Sequence, residues 1–364
     1  MEGERRASIV IGLSMKHHRM QLPREVIVGS GTIEQVAEIS RRLGFTKSAL
    51  IIAGSKTNDI AGKTVKDLLE DENMEVNTHL VETATAKEVM AVEERIKSVK
   101  PQIVFGVGGG TKIDVAKCSS AHQDIPFISV PTTASHDGIA SPLSSIKGFE
   151  KPYSVMAQAP LAIIADTNII MQAPWNFALS GCGDVVAKIT AVKDWELAHE
   201  DQKEYYGGYA ASLALMSAKL VMENAELIKP DSEEGLRVLL EALISCGVSM
   251  SIAGSSRPCS GSEHMFGHAL DMLKPNCSMH GARCGVGTIM MAYLHKTSWD
   301  RIRDTLEKLE APASARELDV ENEDVVRALE MATTIRPERY TILNKQNLTL
   351  ESCEKLAKIT QVIR

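Results

Sequence analysis

Short apolar runs alternate with amphipathic stretches through the first 170 residues of the chain. Six runs have the length and β-branched content of strands, and they span residues 25–28, 48–53, 75–81, 103–105, 126–130 and 161–166. Helical periodicity separates them and is clearest over residues 32–43, 61–70 and 87–99. Strands that alternate with helices of this length form βαβ units, so the pattern predicts a parallel sheet.

The pattern changes beyond residue 166. From residue 178 onward the chain is helical, rich in Ala, Leu and Met, and shows no further alternation of strands. A chain of 364 residues is also long for one core, which favours two domains. We therefore predict an α/β domain over residues 1–170 and an all-α domain over residues 171–364.

A glycine-rich turn joins the predicted strand 103–105 to a helical pattern that resumes at Thr111. The stretch reads GVGGGTKIDVAK over residues 106–117, and strand, glycine turn and helix together bring backbone N–H groups up to a phosphate. Neither the G-x-G-x-x-G order nor the P-loop order is met, so a tight strand-to-helix connection is an open alternative. Thr111, Lys112 and Asp114 place a hydroxyl, a cation and a carboxylate in the first helical turn, which favours a ligand.

A second polar segment follows the strand 126–130. Residues 131–141 read PTTASHDGIAS and lie at the carboxyl end of that strand, where open α/β sheets bind ligands. A dense Ser/Thr run is more often an ordinary loop, and on the residues alone both interpretations stay open.

Side chains that bind metals occur at three places in the helical half. Asp184 lies in the segment SGCGD, where we expect the start of a helix. His264 and His268 are four residues apart and share one helix face, and His280 follows shortly after. Two imidazoles and one carboxylate suit Zn²⁺ or Fe²⁺ and leave a coordination position for a substrate. Each residue alone is also typical of a structural role, as a helix-dipole partner or a hydrogen-bonded core histidine.

Composition restricts the function further. The chain has 40 basic and 47 acidic residues, a formal net charge of −7 and no basic stripe, which argues against nucleic-acid binding. Its seven cysteines are scattered and never in C-x-x-C spacing, as expected of reduced thiols in the cytoplasm. No stretch reads as long and apolar enough to span a bilayer, so we expect a cytoplasmic protein without an integral membrane segment.

Five segments, taken in order, carry a resemblance to a known family. They are GVGGGTKIDVAK (106–117), VPTTASHDGIASPLSSI (130–146), SGCGDVVAK (180–188), GSSRPCSGSEHMFGHALDML (254–273) and MHGARCGVGTI (279–289). Together they resemble the archaeal-type sn-glycerol-1-phosphate dehydrogenases, over about residues 20–300. The wider relatives of that family are glycerol dehydrogenase, the iron-containing alcohol dehydrogenases and dehydroquinate synthase.

The resemblance implies a Rossmann-like, dinucleotide-binding domain followed by a helical metal- and substrate-binding domain. The implied activity is the reversible, NAD(P)H- and zinc-dependent reduction of dihydroxyacetone phosphate to sn-glycerol 1-phosphate, which supplies the glycerol backbone of archaeal membrane lipids. We expect a homo-oligomer with one Zn²⁺ per subunit, and Fe²⁺ is the alternative metal. A glycerol dehydrogenase, a cyclase of the dehydroquinate synthase type and a non-enzymatic metal- or nucleotide-binding protein are the alternative functions.

The family's site residues transfer to matching positions of this sequence. Asp184, His264 and His280 would hold zinc. Asp137 and His268 would be catalytic and, with Asp184, would contact the substrate. The residues that would line the dinucleotide are Gly110, Thr111, Lys112, Ile113, Asp114, Thr132, Thr133, Ala134, Ser135 and Ser141. The thiols near these motifs are expected to pack in the core, although a thiolate would compete for the metal; they are Cys182, Cys259 and Cys284.

Three further expectations concern single residues. His268 is the expected proton relay, because imidazole titrates near neutral pH, and a bound water is the alternative donor. Arg257 precedes the histidine helix and is expected to bind the substrate phosphate, with a surface ion pair or a helix cap as the alternative. Lys56 comes before Asp59, the first acid after the strand 48–53, which predicts that NADPH is accepted as well as NADH. A solvent-exposed lysine is the other interpretation of Lys56.

Overall fold

The computed structural model describes His18 and residues 20–148 and 154–364. Eight strands lie in this part of the chain: β1 (Glu25–Gly29), β2 (Ser48–Ala53), β3 (Glu75–Leu80), β4 (Ile103–Gly108), β5 (Phe127–Pro131), β6 (Leu143–Ser144), β7 (Val155–Met156) and β8 (Ala162–Asp166). Six of them form one parallel sheet with the order β1-β8-β5-β4-β2-β3. Strands β6 and β7 form a separate antiparallel pair.

The helices of the first half cover the sheet, and those of the second half pack on one another. The first half contains α1 (Val36–Arg42), α2 (Ser55–Thr57), α3 (Lys63–Asp71), α4 (Ala86–Val99) and α5 (Gly110–His122). The second half contains α6 (Thr167–Ile170), α7 (Asn176–Val186), α8 (Lys188–Gln202), α9 (Gly208–Glu223), α10 (Glu233–Ala253), α11 (Ser262–Leu273), α12 (His280–Leu294), α13 (Trp299–Lys308), α14 (Asn322–Ile335), α15 (Ile342–Gln346) and α16 (Leu350–Ile359). Short 3₁₀ turns lie at Thr32–Gln35, Asp137–Ile139 and Arg316–Leu318, and a π turn at Asn58–Gly62.

The predicted strands and the parallel sheet are confirmed, with three local differences. Strand β4 continues through its glycines to Gly108 and is longer than the run of three apolar residues predicts. The helix predicted over 61–70 begins earlier, at α2, and passes through the π turn. The pair β6–β7 was not predicted, because two residues in each strand are too few to show a period of two.

The two faces of the sheet belong to different apolar cores. In β2, Ala49, Ile51 and Ala53 lie in a core that also contains residues of α1 and α3. Leu50 and Ile52 lie in a larger core that continues into the second half of the chain. The last strand ends at Asp166 and residues 167–364 contain helices and turns only, while a domain boundary at 170/171 stays a prediction.

One helix contradicts the expectation that no stretch is apolar enough to cross a membrane. Helix α10 is 21 residues long and contains an 18-residue segment with a mean hydropathy of 1.7. Within the protein, 72% of that segment is buried. Such burial is typical of a core helix, and the apolar residues that face its neighbours include Leu239, Leu240 and Leu243, each fully buried.

Gly106 sets how closely α5 packs on the sheet. A Cβ atom on Gly106 would lie 3.0 Å from the Ala116 Cβ and 3.3 Å from the Ile113 Cα, so a larger residue would push the helix away. The close packing holds the amino terminus of α5 directly beyond the carboxyl end of β4, where a parallel sheet binds its ligands.

Candidate active site

A cleft of about 560 Å³ lies between the carboxyl edge of the sheet and the helical half. Gly110, Thr111 and Asp114 of α5 line one side. The opposite side is lined by the three histidines that the sequence singles out, His264, His268 and His280. The two motifs that the sequence predicted separately therefore face one cavity.

The amino terminus of α5 is open to a ligand. Its N-cap is Gly109, which caps the helix with no side-chain hydrogen bond, and the first turn carries no acidic residue. The first N–H groups of such a helix have no partner within the helix, and the helix dipole favours an anion there. A Cβ atom on Gly110 would lie 1.6 Å from the His136 Nε2, so only glycine leaves room for that imidazole. His136 is a cleft residue that the sequence did not single out.

The residues predicted to line the dinucleotide divide into two groups. Gly110, Thr111, Asp114 and Ser141 border the cleft. The others lie beneath the cleft surface or beside it: Ile113, Thr132, Thr133, Ala134 and Ser135 are buried, and the Lys112 Nζ donates to the Glu82 carbonyl oxygen at 2.9 Å. The side chain of Ile113 belongs to the apolar core, which leaves only its backbone for a ligand. The assignment of these ten residues to a dinucleotide stays a prediction.

A buried lysine joins the two acids that were expected in the site. The Nζ of Lys188 is 2.8 Å from the Asp137 Oδ2 and 2.9 Å from the Asp184 Oδ1, and its side chain is completely buried. The second oxygen of Asp184 accepts from the backbone N–H of Asp137 at 2.9 Å. Burial lowers the pKa of Lys188, but the two carboxylates outweigh it and hold the pKa well above 10.5. One cation thus fixes both acids in place.

Asp184 does not begin a helix, as the sequence suggested, but lies in the last turn of α7. The carboxyl end of a helix disfavours an anion, so the carboxylate depends on its neighbours. Burial raises the pKa of Asp184, yet the charges of Lys188 and His264 outweigh it and hold the pKa well below 3.8. The group is therefore an ionised carboxylate, as a metal ligand must be.

His264 lies between two carboxylates. Its Nδ1 is 2.8 Å from the Glu263 Oε1 and its Nε2 is 3.4 Å from the Asp184 Oδ1. Glu263 is fully buried and also accepts from the Thr190 hydroxyl at 2.8 Å. A histidine that binds a metal usually gives its other ring N–H to a carboxylate, which fixes the ring. Glu263 is suited to this role, and its position next to His264 in the sequence was the only signal for it.

The three imidazoles are neighbours. Their ring centroids are 5.1 Å apart for His264 and His280, 5.5 Å for His268 and His280, and 6.5 Å for His264 and His268. The ligand atoms of His264, His280 and Cys284 lie within 4.8 Å of one another. The sequence named Cys284 among three thiols near the site motifs, and of these only Cys284 belongs to this cluster among the described residues, with its Sγ 3.6 Å from the His280 Nε2.

The donor set fits a zinc ion. Two ligands of a tetrahedral zinc, each ~2.1 Å from it, lie roughly 3.4 Å apart, and the His264 Nε2 and Asp184 Oδ1 have this separation, 3.4 Å. Nitrogen, carboxylate oxygen and sulfur are all ligands that zinc accepts. The cluster thus has the chemistry of a metal site, while the choice of ligands stays a prediction.

Several positively charged side chains lie near His268. Burial lowers its pKa, and the nearby Arg336, His264 and Arg283 lower it further, so that the pKa lies well below 6.5. Burial and His264 have the same effect on His280. Both imidazoles are therefore neutral at pH 7, the state in which histidine binds a metal or accepts a proton.

The structure does not bring Arg257 to this cleft. Its guanidinium forms an ion pair with Glu204, with the Nε 2.6 Å from the Oε1, and its Nη1 donates to the Tyr340 carbonyl oxygen at 3.0 Å. The sequence left two interpretations of Arg257 open, a contact with the substrate phosphate and an ion pair with an acid. The structure shows an ion pair, and its partner Glu204 is 53 residues away in the chain. The arginines that do border the cleft are Arg283 and Arg336.

Comparison with known proteins identifies the family. The family model described as iron-containing alcohol dehydrogenase matches residues 27–174. A protein named glycerol-1-phosphate dehydrogenase [NAD(P)+] from Methanosarcina mazei is 53% identical over 94% of this chain and 96% of its own length. A protein of the same name from Thermococcus sibiricus is 51% identical over 95% of this chain and 99% of its own length.

Solved structures agree on the fold. Glycerol dehydrogenase from Schizosaccharomyces pombe superimposes with a TM-score of 0.78 at 21% identity, over 95% of this chain and 90% of that one. A probable glycerol dehydrogenase from Sinorhizobium meliloti gives 0.75 at 18% identity, over 96% and 100% of the two chains. At 21% and 18% identity these structures show the fold alone, whereas the two sequence relatives are 53% and 51% identical over nearly the whole chain. This chain therefore belongs to the glycerol-1-phosphate dehydrogenase family.

Proposed function

We propose that this chain catalyses the reversible, NAD(P)H-dependent reduction of dihydroxyacetone phosphate to sn-glycerol 1-phosphate. The proposal rests on one observation: the amino terminus of α5, which has no side-chain cap, and the three clustered histidines line the same cleft. An anion site for a dinucleotide and a metal-type donor set share this cavity, as a nicotinamide-dependent reduction of a carbonyl requires. The 53% identity to the Methanosarcina mazei relative supports the same substrate.

Asp184, His264 and His280 would hold the metal, and the loop before α5 would hold the dinucleotide phosphates. When bound, the metal supplies a Lewis acid for the carbonyl oxygen and the nicotinamide supplies the hydride. Glu263 keeps the ring of His264 in one orientation through the 2.8 Å contact to Nδ1.

The chain's own side chains position the substrate and move the proton. Asp137 is held at 2.8 Å by Lys188 and borders the cleft, so its carboxylate offers a fixed acceptor for a substrate hydroxyl. His268 has a lowered pKa and is neutral at pH 7. A neutral ring accepts a proton at one nitrogen as it donates from the other, so His268 relays a proton to the new alkoxide and acts as a base in the reverse direction.

The direct test is a substrate panel with zinc-loaded protein. Dihydroxyacetone phosphate, dihydroxyacetone and glycerol are each offered with NADH or NADPH, and the change in nicotinamide absorbance is followed. We expect dihydroxyacetone phosphate to give the highest kcat/KM, with a product that an sn-glycerol-3-phosphate dehydrogenase does not oxidise. Preference for dihydroxyacetone or glycerol would instead indicate a glycerol dehydrogenase, and product without a change in absorbance would indicate a cyclase.

The proposal also includes the cellular compartment and the oligomeric state of the protein. All seven cysteines are free thiols, which supports a reducing compartment such as the cytoplasm.

Tyr209 and Met216 on one face of α9 are 72% and 60% exposed, and the partly buried Leu213 lies between them. An apolar stripe of this kind supports a homo-oligomer, and light scattering on the purified protein measures the number of subunits.

A further inference from the structure

A group of arginines surrounds the end of the cleft next to the three histidines. It comprises Arg283, Arg336 and Arg339, which all act on the pKa of His268. Arg283 and Arg336 border the cleft itself. We propose that Arg283 and Arg336 form the binding site for the phosphate group of the substrate, an inference that rests on the proposed function.

The position of Arg283 suits a phosphate close to the reacting carbon. Arg283 follows His280 by three residues in α12 and so lies on the same side of the helix, about one turn or ~5 Å along it. In dihydroxyacetone phosphate three covalent bonds separate the carbonyl carbon from phosphorus. A carbonyl placed at the histidines therefore puts its phosphate close to them, and the Arg283 guanidinium lies at this end of α12, where its Nη1 donates to the Ser278 carbonyl oxygen.

Arg336 reaches the same place from another element. It ends α14 and its Nη1 donates to the Ser256 hydroxyl at 3.4 Å. Ser256 belongs to the loop before α11 and borders the cleft together with Ser260, Asn276 and Ser278. Hydroxyl and amide donors beside two guanidinium groups are the usual surroundings of a bound phosphate.

The described residues neutralise the charges of Arg283 and Arg339 only in part. Arg283 pairs with Asp271 at 3.0 Å, but its Nε is buried without a hydrogen-bond partner among the described residues. Arg339 forms no ion pair within residues 20–148 and 154–364; it donates to the Ser256 hydroxyl at 2.8 Å and to the Ser260 carbonyl oxygen. Burial and the neighbouring Arg336 lower the pKa of Arg339 to about 9. A dianionic group bound here relieves the repulsion between these cations.

This site is separate from the anion site at α5. The α5 terminus offers backbone N–H groups on the sheet side of the cleft, whereas the arginines lie on the helical side with the histidines. The two sites match a dinucleotide and a phosphorylated substrate that enter one cavity from opposite walls. An unphosphorylated triose gains nothing from the arginine site, which makes this site the determinant of substrate choice.

The experiment compares Arg336→Gln and Arg283→Gln with the wild type, all loaded with zinc. The measured quantity is the ratio of kcat/KM for dihydroxyacetone phosphate to kcat/KM for dihydroxyacetone. Loss of one charge-assisted contact should reduce this ratio about ten- to a hundredfold, mainly through KM for the phosphorylated substrate. Inorganic phosphate, used as a competitive inhibitor, should bind each variant at least about tenfold more weakly.

Arg303→Gln is the matched control. Arg303 also pairs with a carboxylate, that of Glu307 at 2.9 Å, but it lies in α13 outside the cleft. The Arg303→Gln variant should keep the wild-type ratio of kcat/KM for the two substrates. Arg336→Lys retains the charge but loses the planar pair of donors, so its ratio should lie between those of the wild type and Arg336→Gln. The lysine variant replaces Arg336→Gln in the test if Arg336→Gln does not fold.

The outcomes separate this inference from the proposed function. If the wild type prefers dihydroxyacetone phosphate and both glutamine variants keep that preference, the inference is wrong and the proposed function stands. If the wild type prefers dihydroxyacetone, the proposed function is wrong. The inhibition by inorganic phosphate then decides alone whether Arg283 and Arg336 form an anion site, and equal inhibition of wild type and variants overturns it.

Discussion

Replacing Lys188 by methionine removes the cation that two carboxylates of the cleft share. The Lys188 side chain is fully buried, and its Nζ lies 2.8 Å from Asp137 and 2.9 Å from Asp184. The side chain of Asp184 is only 2% exposed, so water does not replace the lost partner. Methionine has a similar length and leaves no large cavity, which isolates the effect of the charge.

The expected loss is large. Removal of one partner from a buried ion pair typically costs about 3–5 kcal/mol, because the other charge stays buried and unpaired. Exposed pairs are worth about 0–1 kcal/mol. We therefore expect Lys188→Met to lower the free energy of unfolding of the zinc-free protein by about 3–5 kcal/mol. Added zinc should reduce the loss, because the metal then neutralises Asp184.

Urea unfolding with and without zinc measures this difference, and the chain supplies a matched control. Lys345 pairs with Asp201 at 2.9 Å, as Lys188 does with Asp184, but the two side chains of that pair are 46% and 29% exposed. Lys345→Met should cost at most about 1 kcal/mol. Equal losses in the two variants would refute the reasoning, because the burial of the charge would then have no energetic effect.

The pH dependence of the same variant has a defined sign. The pKa of Asp184 is held below 3.8 in the folded protein, so its contribution to stability is complete above pH 3.8 and is lost as the pH falls through the folded pKa. The pKa of Lys188 is held above 10.5, so its contribution is complete below pH 10.5 and is lost as the pH rises through the folded pKa. In Lys188→Met burial raises the pKa of Asp184 without the opposing cation. The difference between wild type and variant should therefore shrink as the pH falls through this raised pKa.

Three further predictions concern the site. His264→Ala and His280→Ala should each remove bound zinc and abolish activity, whereas His268→Ala should keep the metal and lose turnover; equal metal loss in all three, by elemental analysis, would contradict the division between ligands and relay. Cys284→Ala should retain zinc, because Asp184 completes the ligand set; a sulfur-to-cobalt charge-transfer band in the cobalt-loaded wild type that is absent from the variant would instead make Cys284 a ligand. NADPH should be accepted as well as NADH, and Lys56→Ala should lower kcat/KM for NADPH selectively; a wild-type kcat/KM for NADPH more than about a hundredfold below that for NADH, or roughly 2.7 kcal/mol, would argue against this.

Local patterns in the sequence were enough to predict the sheet. The apolar runs of β2 and β4 lie within six residues each, and continuous apolar runs of this length, bounded by turn signals, indicate buried strands of a parallel sheet. The glycines before α5 predicted either a phosphate site or a tight connection from strand to helix. The contact of Gly106 with α5 shows that the connection is tight, while the phosphate site stays a prediction. The motif that contains His264 was recognisable because its residues are neighbours in the chain.

The tertiary structure alone decided which charged groups meet. Asp137 and Asp184 are 47 residues apart, and Lys188 joins them only because α7, α8 and the turn after β5 pack together. Arg257, for which the sequence left a substrate contact and an ion pair open, pairs with Glu204, and Arg336 reaches the cleft from the end of α14. Burial makes an unpaired charge costly, so each charge needs a partner, but the identity of that partner depends on how distant helices pack. The sequence therefore determined the elements and the types of residue in the site, and the packing of the helices determined their neighbours.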